Sequence, residues 1–248
     1  MIKENNFPID FIIVLTFYLI YYSLYYSYKF YVKDVFEIFG DTHKIIAENI
    51  YSNIYDIYGI KLDKDKLLWG SVAPDILPQF KLHRHYQKES LNYVVNEVVK
   101  LIFISRYIEF NRKVDPIAIK ILSNKIGIIS HYLSDFVCLP HAERWTFTSS
   151  MFKHINYEAK LNEYSPYHEF KKNVIIVDDI DIFQDRIIKL RPIIKKYIED
   201  VVYEYSLESG FENDLDFALS LSLKTSYFII DTVNAYTEDT YKEFAFEF

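Results

Sequence analysis

The chain has 248 residues, half of them hydrophobic and a quarter charged, with a net charge of -7, five glycines and one cysteine. That length suffices for one domain with a large core, and so little glycine excludes a turn-rich sandwich or barrel, while Cys138 alone excludes a disulfide framework or a cysteine-rich zinc finger. The acidic excess lies wholly after residue 170 and no run of five Lys or Arg occurs, which argues against a general nucleic-acid binder.

Residues 11 to 28, FIIVLTFYLIYYSLYYSY, carry no charge and would make a helix about 27 Å long, just enough for a thin bilayer. A cleaved signal is disfavoured, because Lys3 is offset by Glu4 and Asp10 and no alanine precedes Ala47. The six tyrosines in the run favour an interface over hydrocarbon. Residues 1–40 are therefore read as a hydrophobic N-terminal extension or anchor that makes the protein membrane-associated. The alternatives are a packed or amphipathic helix, or a segment that is not part of the natural start, with a cytoplasmic location as the alternative to membrane association.

Residues 41–248 read as one helical domain. Ile46, Ile50, Ile54 and Ile57 recur at helical spacing from Thr42 until Gly59 supplies a stop, so His43 falls in a first turn. A short helix from Asp65 to Val72 leads into APDILP, where two prolines predict a stiff, non-helical bend around Asp75. After HRHY a long helix runs from about Glu89 to Phe110, with Leu91, Val94, Val95, Val98 and Ile102 on one face. Asp115 and Pro116 read as an N-cap and first-turn proline for a helix that passes through Ile121, Ile128, Ile129 and Leu133 to about Cys138, where Pro140 ends it.

Further helices are predicted over Ser150 to Tyr164, Asp181 to Tyr205 and Asn213 to Tyr236, with Pro192 kinking or dividing the second of these and NVIIV at 173–177 forming a short strand. There is no repeat and no low-complexity linker. The fold class is all-α, a single bundle of about eight helices.

The stretch from His131 to Glu158 holds three of the seven histidines. Residues four apart share a helix face, so His131 with Asp135, and His154 with Glu158, are two-point clamps of imidazole and carboxylate, the donors that suit zinc where thiolate is lacking. Either clamp alone is more often a hydrogen-bonded pair. Two on consecutive helices, with His141 between them just past Pro140 and free to swing toward either, make a stronger case. His43 and His85 taken singly read as structural, an Asp between two prolines as a turn residue, and His168 as solvated or core.

HxxxD, a His six residues later and HxxxE a dozen beyond resemble the signature of bacterial zinc-dependent phospholipases C, the family that includes the clostridial alpha-toxin catalytic domain, with single-strand-specific zinc nucleases as distant relatives. DTHKII at 41–46 looks like the family's early THxxI motif, APDILP offers Asp75 for its second acidic motif, and the family's His before an aromatic favours His85 over His83. The resemblance spans about residues 41 to 164.

It implies that Asp75, His85, His131 and Asp135 hold one zinc ion and His141, His154 and Glu158 a second, with Asp75 also the catalytic residue that orients or deprotonates water. His43 would serve a third ion bridged by Asp135. Secreted members complete that third site with an N-terminal tryptophan, whereas here no tryptophan precedes Trp69, so the expectation is two zinc ions with the third left open.

The implied activity is phospholipase C cleavage of a phospholipid by metal-activated water, at or near a membrane surface and with no nucleic acid as partner. A zinc nuclease or nucleotidase of the same superfamily is the first alternative. The second is a non-catalytic helical membrane-associated or interaction protein.

Overall fold

Eight α-helices follow one another through the described residues of the computed structural model, which are 41–248 apart from 106–107, 109, 111–114, 147–149, 181–186, 238–244 and 248. They are α1 (Asp41–Tyr58), α2 (Lys64–Ile76), α3 (Gln87–Ser105), α4 (Pro116–Phe136), α5 (Leu139–Ala142), α6 (Met151–Tyr164), α7 (Leu190–Tyr205) and α8 (Phe211–Thr237). Two three-residue strands, β1 (Ile187–Lys189) and β2 (Ala245–Glu247), pair in parallel with Ile187 opposite Ala245. The fold is all-α. The N-terminal extension and its apolar run lie outside the described residues, among which no helix is long and apolar enough to cross a membrane.

Local chemistry sets three of the helix ends. The Asp63 side chain accepts from Lys66 N at 2.9 Å to start α2, and Asp115 accepts from Ile117 N at 2.8 Å to start α4 ahead of Pro116. Gly59 takes a positive φ of 66°, and its amide closes on Tyr55 O at 2.9 Å to end α1.

α1 buries Ile46, Ala47, Ile50 and Ile54, whereas Ile57 at the end of the same predicted stripe faces outward. α4 is the central rod. From Ile126 to Phe136 every residue is buried, and its serines stay satisfied by bonding back into the helix: Ser130 Oγ donates to Gly127 O and Ser134 Oγ to Ser130 O.

Four expectations are corrected. Asp75 lies in the last turn of α2 rather than in a bend: Pro74 forfeits one bond near the helix end, which Leu77 N closes onto Ala73 O at 2.9 Å. Residues 173–177 form no strand, because their amides find a side chain instead. The Glu204 carboxylate accepts from Ile176 N at 2.8 Å and from Val177 N at 3.1 Å. Of the helix predicted from Asp181, residues 181–186 lie outside the described residues and 187–189 form β1; the described helix begins at Leu190, so Pro192 sits in its first turn, where no amide bond is lost. The helix predicted from Glu89 to Phe110 ends at Ser105.

The tightest element of the bundle is the crossing of α2 on α4. A Cβ on Gly70 would stand 2.2 Å from Asn124 O, and one on Gly127 would stand 2.3 Å from Leu67 O. Only hydrogens fit between these backbones. Gly127→Ala should therefore destabilise the fold by about 3 kcal/mol, the upper part of the range for an overfilled core, read as a lower urea midpoint.

α3 is clamped to α4 by Glu97, whose nearly buried carboxylate meets Lys125 Nζ at 2.6 Å and Lys100 Nζ at 3.0 Å. Burial would raise this carboxyl, but the two lysine hydrogen bonds outweigh it and hold it below its ordinary value. A depressed carboxyl contributes stability above its unfolded value of about 4.3 and loses it as pH falls through the folded value. Glu97→Gln should thus cost about 1–2 kcal/mol at pH 7 and flatten the loss of stability below about pH 4.5, measured by denaturant titrations across pH.

Candidate metal centre

Five helices and one loop aim eight donors at one place. His43 comes from the first turn of α1, Asp75 from the last turn of α2 and His85 from the loop before α3. His131 and Asp135 come from successive turns of α4, His141 from α5, and His154 and Glu158 from successive turns of α6. A cavity of about 740 Å³ opens over them. Beneath it His131 is fully buried and Asp135 nearly so.

Asp135 is the hub, and its two oxygens face different neighbours. Oδ2 lies 2.7 Å from His85 Nδ1 and 3.2 Å from His131 Nε2. Oδ1 lies 3.4 Å from His43 Nε2 and 3.7 Å from His141 Nε2. Asp75 Oδ1 stands 3.6 Å from both His85 Nδ1 and His131 Nε2. In the second cluster Glu158 Oε1 is 3.0 Å from His141 Nε2 and 2.8 Å from His154 Nε2.

Two backbone carbonyls orient the rings. His131 Nδ1 lies 2.8 Å from Ser71 O, and His154 Nδ1 lies 2.9 Å from Trp145 O. A carbonyl only accepts, so in each ring Nδ1 carries a proton, and in the neutral ring Nε2 is the lone-pair nitrogen that faces the cavity. His131 Nε2 thereby points at His85 Nδ1 across 3.1 Å.

These separations suit a metal. Donors 2.0–2.1 Å from a tetrahedral zinc stand about 3.3 Å from one another, and the measured spacings bracket that value. Three triads keep all their donor atoms within 4.8 Å: His43, Asp75 and His131; His85, His131 and Asp135; His141, His154 and Glu158. Cys138 borders the cavity, where burial pushes its thiol well up, and it belongs to none of these triads.

The electrostatics carry the same sense. Burial would raise the Asp135 carboxyl, yet the positive charge of His131 and His141 when protonated holds it well below the ordinary range. Burial likewise opposes ionisation of Glu158, and the hydrogen bonds of His141 and His154 outweigh it to leave the carboxyl at about 2. Three carboxylates among five imidazoles make the centre anionic when the rings are neutral, which suits it to cations.

All eight residues singled out from the sequence converge here. His85 rather than His83 enters the cluster; His83 stacks on Tyr93 with ring centroids 3.8 Å apart. His141 does not swing free, because Pro140 opens the short helix α5 instead of leaving a loose exit. His168 stands apart, buried against Asp216 at 2.7 Å. The carbonyls of Ser71 and Trp145 had no signal in the sequence, since any residue presents a carbonyl. Nor did Asn162, whose side chain accepts from Thr42 N at 3.1 Å and so fixes the start of α1 beside His43.

The family model described as zinc dependent phospholipase C matches residues 42–212, a span that contains every one of these donors. No curated protein and no solved structure matches the chain.

A cation that binds only the folded centre stabilises it by mass action, by about 4 kcal/mol at a thousandfold excess over its dissociation constant. Zinc should raise the unfolding midpoint of chelator-treated protein in differential scanning calorimetry. His154→Ala should reduce that rise.

Proposed function

The chain belongs to the zinc-dependent phospholipase C family, and on that premise we propose that it is a zinc-dependent hydrolase of phosphate esters that cleaves phospholipids between glycerol and phosphate. The observation that carries the reading is the meeting of five imidazoles around the two oxygens of Asp135 and the single Glu158 oxygen shared by His141 and His154.

Asp75, His85, His131 and Asp135 would hold one ion, and His141, His154 and Glu158 a second. His43 faces the free side of Asp135 Oδ1 and is the protein donor for a third ion, should one bind. Zinc in such a site acts as a Lewis acid on phosphoryl oxygens and lowers the pKa of water to about 7.

The remaining steps fall to the chain's own groups. Asp75 is the site carboxylate least engaged by its neighbours, with both ring nitrogens no nearer than 3.6 Å and its side chain 30% exposed, whereas Asp135 and Glu158 are tied at 2.7–3.0 Å. It is therefore the group free to orient the attacking water and accept its proton. Lys81 and Arg84 at the cavity wall attract the phosphate, and Ile46, Leu161 and Leu215 offer an apolar side to the glyceride. That combination of cationic and apolar walls favours an amphiphilic phosphodiester. Work at a membrane surface follows from the substrate, and the extension at 1–40 would assist it.

Purified protein should hydrolyse phosphatidylcholine or a chromogenic choline phosphodiester, lose the activity with chelator and regain it with zinc. Asp75→Asn and His154→Ala should each lower kcat by about a thousandfold or more. Zinc-loaded protein that turns over neither substrate but cleaves single-stranded nucleic acid or a phosphomonoester would replace the lipid with a nuclease or nucleotidase reading. Protein that binds no zinc would point to the non-catalytic one.

A further inference from the structure

Asp214, in the first turn of α8, is 2% exposed and borders the cavity, yet it belongs to neither cluster of donors. A buried carboxylate is costly unless its lone pairs are filled, and here neutral donors fill them. Oδ2 accepts from Tyr157 Oη at 2.8 Å and from Leu139 N at 3.2 Å. Oδ1 accepts from Tyr205 Oη at 2.6 Å and from Gly210 N at 3.3 Å. Burial beside this carboxylate pushes both phenols up, so they remain donors at neutral pH.

The two oxygens thus serve different parts of the molecule. Oδ1 holds α7 and the approach to α8. Oδ2 holds α5, two residues before His141, and α6, one residue before Glu158 and three after His154. With only four residues, α5 has too few helical bonds of its own to fix His141 in place. One oxygen therefore links both helices that carry the second cluster to a single point on a 27-residue rod.

We propose that Asp214 is a positioning residue for the His141–His154–Glu158 cluster, its Oδ2 setting the distance between α5 and α6 and thereby between the donors they carry. The inference rests on the reading of that cluster as a zinc site.

The split between the oxygens supplies the test. Tyr157→Phe removes a bond to Oδ2 and Tyr205→Phe a bond to Oδ1, each leaving its ring in place. Zinc release would be followed by competition with a chromogenic chelator, alongside thermal unfolding of the metal-free proteins. Tyr157→Phe should weaken one class of bound zinc about tenfold, in the range seen when outer-shell hydrogen bonds are removed. Tyr205→Phe should leave both classes within about twofold, although it lowers the metal-free midpoint at least as far. Equal weakening by the two variants, or none by Tyr157→Phe, would overturn the positioning role alone. A natural chain that retains no zinc would remove the metal-centre reading, and this inference with it.

Discussion

The contact of two bare backbones, α2 against α4 at Gly70 and Gly127, is the constraint from which the rest of the centre follows. Side chains of ordinary size would hold helix axes 8–10 Å apart. Here the carbonyls of one helix touch the Cα atoms of the other. Ser71, next to Gly70, can then present its carbonyl to His131, one turn beyond Gly127, and Asp75 comes within 3.6 Å of the same ring. Spread the helices by a methyl group and both relations are lost together. The most polar part of the core is thus positioned by its two smallest residues.

Around that crossing the protein tolerates an arrangement that would otherwise be costly. Asp135 and His131 are almost fully withdrawn from water, and Asp135 Oδ2 is crowded by two ring nitrogens. Without a proton or a cation shared among them, lone pairs would face lone pairs in a medium of low dielectric. The membership of the zinc-dependent phospholipase C family explains why such a trap persists. Its outer supports are ordinary: a carbonyl behind His131, another behind His154, and a side-chain amide oxygen at the start of α1.

Much of this was legible in the sequence because it obeys local periodicity. His131 with Asp135 and His154 with Glu158 are one helical turn apart, so their pairing needs only that the helices form. The all-α class followed from composition and from the spacing of isoleucine and valine. Errors arose where a distant group answered a local preference. The β-branched run at 173–177 looks like a strand until Glu204, far along the chain, takes its amides. Pro74 looks like a helix breaker until its place near a C-terminus makes it harmless. Asp214 and the two glycines gave no sign, since Tyr157 lies 57 residues from Asp214 and Asn124 lies 54 from Gly70, and short motifs do not record such meetings.

The two halves of the centre differ in how far apart their members sit along the chain. His141, His154 and Glu158 fall within one short segment, whereas His43 and Asp135 enclose most of the first half of the domain. Loop-closure entropy grows with the logarithm of the enclosed length, so bringing the distant pair together costs about 1.5 kcal/mol more than closing the short segment. The local trio therefore needs less chain ordering to close its donors on one another than the pair that spans the bundle.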